Sequence, residues 1–370
     1  MALFVCAGAA GAVSTSMTEG ATGAANACAP APAVIGVTEG RSIPGTVAPS
    51  RGTLRAALLL VHAADVPPDD SVAPPAAMLD AAAAWYRSVS FGRLQFEVET
   101  VPRWLRLPAS SAEYLENPAR YLADAVAAAD PLVDFSKVDV VYLAPASRTP
   151  ETRTSAILNG FGVRADGREI RLWVPWQAGF ALESNTDRWI LIHETGHLLG
   201  LPDLYSTGGP STFHQWDVMA ARYPSELLAW HRWKLGWIDR SQIVCLTGRA
   251  RRTVTLSPIE KAGGIKAVFV KRGAQIFAVE VRARIGYDRA LCETGVLVYA
   301  VDQTQFRRAP VRIHAAQRDR PKRGCAAKWN APFEIGRGEV RTYRLSSFGV
   351  RLDLLARRPD GSYRVRLRPL

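Results

Sequence analysis

The sequence predicts an α/β (α+β) domain followed by an all-β, sandwich-like domain, and three observations carry that reading. Apolar runs of strand length alternate with helical segments over the first half of the chain. Beyond Trp237 the pattern changes to short strand-like runs separated by turn residues. The 370 residues are 48% hydrophobic and 22% charged, an ordinary globular composition with enough material for two cores.

Residues 1–29 begin with the short apolar run Leu3 to Val13 and end in an A-x-A-like stretch, Ala25-Asn26-Ala27-Cys28. This resembles a signal peptide without a positive n-region, and a disordered leader is the other reading. Residues 30–52, rich in Ala, Pro and Gly, read as a linker or pro-segment remnant. The first domain then covers 53–240. Leu54 to His62 reads as a buried strand, Ala76 to Ser88 as a helix, and Leu94 to Val101 as a half-buried strand. Ser111 to Ala129 follows as one helix, Val138 to Ala144 as a buried strand, and Arg168 to Val174 as an edge strand. The second domain, 241–370, carries strand-like runs at Thr253 to Leu256, Ala267 to Arg272, Gln275 to Arg282 and Gly295 to Val301. Three more lie at Val340 to Leu345, Val350 to Leu355 and Tyr363 to Leu367.

The net charge of +12 arises from 46 Lys+Arg against 34 Asp+Glu. Basic clusters at Arg249 to Arg252, Arg307 to Arg312 and Arg318 to Arg323 lack interleaved aromatics, so no nucleic-acid partner is expected. Five scattered cysteines form no C-x-x-C pair and exclude a cysteine zinc site. In an exported chain a bridge among the last three is expected, with Cys292 and Cys325 as the pair. No apolar stretch reaches the ~18 residues that span a bilayer. A monomer is expected.

The chemistry concentrates in Asn185 to Tyr205, NTDRWILIHETGHLLGLPDLY. Asn185, Thr186 and Asp187 suit a helix start; Gly200 and Pro202 suit its end. His193 and His197 therefore share one helix face, and both can reach one zinc ion. Glu194 adjoins the first ligand and can act on a water without ligating. The turn at Gly200 returns the chain and offers Asp203 as third ligand; the alternative, Glu226, follows a Tyr-Pro break and is weaker. Two His and one carboxylate suit a catalytic rather than a structural zinc. Met219 lies in Gln215 to Ala220, QWDVMA, 22 positions after His197.

HExxHxxGxxD followed by such a methionine is the metzincin pattern, in which the methionine turn floors the metal site. Together with Pro224, AWHRWKLGWI from Ala229, RGTLRAALLLV from Arg51, SVSFGRLQFEV from Ser88 and AVEVRARIGYDRALCETGVLVYAVD from Ala278, it resembles the immune inhibitor A-type metalloproteases. The same order of parts is similar to snapalysin, and the resemblance covers about three-quarters of the chain, most specifically at the zinc motif. It implies a secreted, extracellular bacterial endopeptidase with a β-rich C-terminal domain. Zinc would be held by His193, His197 and Asp203, with Glu194 as general base on a zinc-activated water. Tyr223 is a candidate oxyanion donor, against a packed surface tyrosine as the blander reading. Calcium is compatible with an exported protease, but no D-x-[DN]-x-[DN]-G loop appears and no ligands are assigned. An edge strand such as Arg168 to Val174 offers β-addition to a protein or peptide substrate. Two other functions stand beside this one: a binding or adhesion protein with a vestigial zinc site, and a cell-wall peptide hydrolase.

Overall fold

Strand β1 (Gly52–His62) is apolar on both faces because both are covered. Leu54, Ala56, Leu58 and Leu60 enter one core and Ala57, Leu59 and Val61 enter another. The structure, a computed structural model, describes residues 27–33, 36–150, 157–176, 185–205, 216–220, 225–248, 251–305, 310–317 and 330–370, with the backbone alone for 157–161 and 185–187. In chain order β1 is followed by α1 (Ala73–Val89), β2 (Leu94–Thr100), β3 (Leu105–Arg106), α2 (Ser111–Glu116) and α3 (Pro118–Ala129). Then come β4 (Val140–Pro145), β5 (Ile157–Ala165), β6 (Arg168–Pro175), α4 (Asn185–Leu198) and α5 (Ala229–Lys234). The first sheet runs β2-β1-β4-β6-β5, with β3 also on β1; all its pairs are parallel except β5 with β6.

Two expectations are corrected here. The helix expected over Ser111 to Ala129 is broken at Asn117, whose side chain accepts from the Arg120 N–H (3.0 Å) and caps α3, with Pro118 at its first turn. Arg168 to Val174 is not an edge strand. It lies inside β6, paired on both sides, and β5 takes the edge. Strand β5 escapes a periodicity argument because its ladder with β6 is irregular between Leu158 and Val163.

The later strands are β7 (Ile243–Leu246), β8 (Arg252–Leu256), β9 (Ala267–Arg272), β10 (Gln275–Arg282), β11 (Gly295–Asp302) and β12 (Val311–Ile313). They end with β13 (Thr342–Leu345), β14 (Val350–Arg357) and β15 (Tyr363–Pro369). Two sheets result, β12-β11-β10-β9-β7 and β13-β14-β15-β8. The five-stranded sheet lies between two cores. In β10, Phe277, Val279 and Val281 face the core shared with Leu352, Val365 and Leu367 of the four-stranded sheet. The alternate residues Ile276 and Ala278 face the core that holds α1, α4 and α5. The change in secondary structure near 238–241 is therefore not a gap in packing, since one core crosses it.

Residues 27–29, the end of the expected signal peptide or leader, and the segment 30–52, expected to be a linker or pro-segment remnant, are packed against the rest of the protein. Cys28 forms a disulfide with Cys245 of β7, and Glu39 is fully buried. Ala48 N–H donates to Leu198 O at the end of α4 (2.8 Å). Lys234 of α5 donates to Thr38 O and to Gly200 O (2.6 Å for the latter). The rest of the expected leader, and Cys325, lie outside the described residues. Cys292 is disulfide-bonded, while Cys245 pairs with Cys28 rather than with a later cysteine. The Cys28–Cys245 bond closes a long loop, 217 residues apart in sequence. Replacing both by serine is expected to cost about 2–5 kcal/mol of stability. Urea unfolding with and without reductant checks it; an unchanged midpoint would show that the segment holds without its bridge. No helix among the described residues is long and apolar enough to cross a membrane.

Candidate metal centre

The ligand helix is fixed before any ligand is considered. Tyr86 of α1 donates to Ile192 O (2.6 Å), and Thr195 Oγ1, bonded to Leu191 O (2.8 Å), meets the Tyr142 hydroxyl of β4 (3.0 Å). Gly196 gives the close approach on the next turn: a Cβ there would stand 2.5 Å from Met219 Sδ. The helix stops as its sequence demands. Gly200 is left-handed (φ 92°), with its N–H bonded to His197 O (2.8 Å) and that of Leu201 to Gly196 O (3.0 Å). The expected capping side chains, 185–187, lie outside what is described.

His193 and His197 sit one turn apart with ring centroids 4.8 Å from each other. Their Nε2 atoms converge on one oxygen, Asp203 Oδ1, at 3.0 and 3.2 Å. Each Nδ1 is engaged with a backbone carbonyl: His193 with Val218 O (3.0 Å) and His197 with Leu201 O (2.7 Å). Such bonds place the N–H on Nδ1 and turn the Nε2 lone pair inward, as metal-binding histidines require. The donor atoms of His193, His197 and Asp203 all lie within 4.8 Å of one another, and among the described residues this is the one such group of three.

The donor set, two imidazoles and a carboxylate, is one that could hold a divalent metal ion such as zinc. Bonds of about 2.0–2.2 Å in a tetrahedron separate neighbouring donors by roughly 3.3–3.6 Å, within a few tenths of the two spacings to Asp203, 3.0 and 3.2 Å. Burial works to raise the Asp203 carboxyl, but its bonds from His193 and His197 hold it well below the usual carboxylate range. Burial disfavours the charged His197 ring, yet Asp203 and Glu194 together raise its pKa.

Of the residues singled out in the sequence, His193, Glu194, His197, Asp203 and Met219 are brought together. Glu194 is half-buried on the ligand helix. Tyr223 lies outside the described residues. Glu226, the alternative ligand, is turned elsewhere, with its carboxylate on Arg232 and on the Tyr287 N–H (3.2 Å). Trp230 and Trp237 are buried, and Trp230 meets Phe269 of β9 edge-on (5.4 Å).

Three residues of the site escape sequence reasoning. Tyr205, 41% exposed, stacks on the His193 ring at 6.0 Å. Asp217 is fully buried and organises the turn of Val218–Ala220: Oδ1 accepts from Met219 N–H (2.8 Å), and Oδ2 from Leu228 N–H (2.8 Å). Glu39 holds His231 (3.1 Å), which in turn binds Asp217 Oδ2 (2.8 Å). Asp217 was visible beside Met219 in QWDVMA; Glu39 had no local signal at all. A comparison with protein-family models finds no match for the chain, and no curated protein matches it.

Proposed function

We propose that the chain is a secreted zinc-dependent endopeptidase of the metzincin type, similar to the immune inhibitor A-type proteases. The observation that carries the reading is the convergence of His193 Nε2 and His197 Nε2 on Asp203 Oδ1, with both Nδ1 atoms committed to carbonyls. His193, His197 and Asp203 would hold the ion. A zinc ion so held supplies Lewis acidity, bringing the pKa of water towards ~7 and polarising a peptide carbonyl. Glu194, one residue beyond a ligand and not itself in the donor set, takes the proton from the attacking water and returns it to the leaving amine. Met219, with its sulfur against Gly196, forms the apolar floor. The edge position of β5 supports substrate binding by β-addition there, in place of the internal β6. The disulfides support export, since such bonds persist in oxidising compartments.

The purified protein is expected to carry about one zinc per chain and to digest casein. A chelator should remove both properties, and added zinc should restore both. Zinc with peptidoglycan cleavage but no casein cleavage would favour the cell-wall hydrolase, which the charge of +12 suits. A folded protein that takes up no zinc would sink the proposal and leave a binding protein.

A further inference from the structure

The turn of residues 217–220 meets the centre at three points. Val218 O accepts from His193 Nδ1 (3.0 Å), Met219 Sδ packs on Gly196 between the two ligand histidines, and Met219 O accepts from Leu204 N–H (3.0 Å), next to Asp203. The turn itself hangs on Asp217, through the Met219 and Leu228 N–H groups. Asp217 is held in turn by the fully buried His231, and His231 by the fully buried Glu39, 192 residues away in sequence. The other Glu39 oxygen is taken by Trp230 Nε1 (3.1 Å).

We infer that Glu39 and His231 are positioning residues for the metal centre: the N-terminal segment sets the 217–220 turn through them, and the turn sets the aim of His193 and the backing of Asp203. The inference rests on the zinc reading above. It adds that a segment of loose composition, far from the ligands in sequence, fixes their geometry. Both ends of that path are closed to water, so each bond in it is strong and each loss is felt by the next. Burial lowers and the two carboxylates raise the His231 pKa, which ends at about 10, so the ring is a cation with both N–H groups donating. The same segment holds the far end of the ligand helix independently, through Ala48 on Leu198 and through Thr38, Lys234 and Gly200.

The test is zinc affinity of the full-length chain by chelator competition, with the visible spectrum of the cobalt(II) form as a second readout. Glu39→Gln keeps the size and one acceptor oxygen of the side chain. It should weaken zinc binding by about 10–100-fold and alter the cobalt spectrum, as loss of an outer support for a ligand does. Trp230→Phe removes the other partner of Glu39 and should lower the unfolding temperature while leaving zinc affinity within about twofold. Should Glu39→Gln fail to fold, Asp217→Asn cuts the same path one link further on, and the same weakening is expected. Unchanged affinity and spectrum in folded Glu39→Gln would overturn the inference alone, and so would equal weakening by Trp230→Phe. A wild-type chain that binds no zinc would overturn the zinc reading and this inference with it.

Discussion

Glu194→Ala is expected to keep its zinc and to lose casein hydrolysis by at least about 10²–10⁴-fold, the usual contribution of a positioned general base. The expectation follows from where Glu194 stands. It is adjacent to His193 but outside the group of converging donors, so its removal subtracts no ligand. The helix is also fixed by other residues, through the Tyr86 bond to Ile192 O and the Tyr142 contact with Thr195. Glu194 also favours the protonated ring of His197, so alanine should ease the competition between proton and metal there. Zinc content and initial rates, measured on the same preparations, decide the matter. A variant that holds zinc and keeps more than one-tenth of the rate would remove Glu194 as the base. One that loses zinc would make Glu194 a ligand and require a new donor set.

Arg282→Gln is expected to cost at least about 3–5 kcal/mol, the range for a buried ion pair that loses one partner. Here one cation serves several acids. Arg282 is almost wholly buried and bonds Asp288 (2.8 and 2.5 Å) and Glu280 (3.1 Å), with Glu260 at 3.5 Å and Trp216 O at 2.8 Å. Glutamine leaves three carboxylates together away from water. Burial already raises the pKa of Glu260 and Glu280 above the ordinary value with Arg282 in place. Acids whose folded pKa is raised retain protons that the unfolded chain releases. Their contribution is favourable at low pH and is lost as pH rises through the folded value. The defect of Arg282→Gln relative to wild type should therefore be smaller at pH 5 than at pH 7.5. Urea unfolding at the two values tests it. A defect under about 1 kcal/mol, or one that grows on acidification, would show that the acids do not depend on this guanidinium. The effect should also reach the metal centre, because Trp216, whose carbonyl Arg282 holds, immediately precedes Asp217.

The local parts of the site were legible because local rules set them. HETGHLLGLPD states a helix face, a stop and a return, and α4, Gly200 and Asp203 follow that statement. The short apolar runs of β9 and β10 were legible as strands for the same reason. The burial of their apolar residues on both faces needs the tertiary layers, since each strand divides its residues between two cores. Which strand takes the edge is not legible, because strand order is a non-local property and β5 pairs irregularly. The Asn117 break was readable in principle, since Asn-Pro inside a helical run is a stop and a start. The placement of residues 28–50, the end of the expected leader and most of the expected linker, is not legible for a different reason. Their composition is that of a loose linker, but their place is fixed by a few bonds to residues some 200 positions away, among them Cys28 to Cys245 and Glu39 to His231. No window along the chain contains those pairs.

The Cys28–Cys245 bond also gives the molecule a covalent topology that its sheets alone do not. With it closed, everything from residue 28 to residue 245 is one ring, and His193, Glu194, His197, Asp203 and Met219 all lie on that ring. A single cut in any loop of the ring opens it into a line without dividing the molecule. Both new ends stay tethered to the same packed layers, at an effective concentration far above that of two free fragments. A cut beyond Cys245 has no such tether from this bond. For a chain read as a protease, and so exposed to its own copies, a nick within the catalytic region is survivable in a way that a nick in the later sheets need not be.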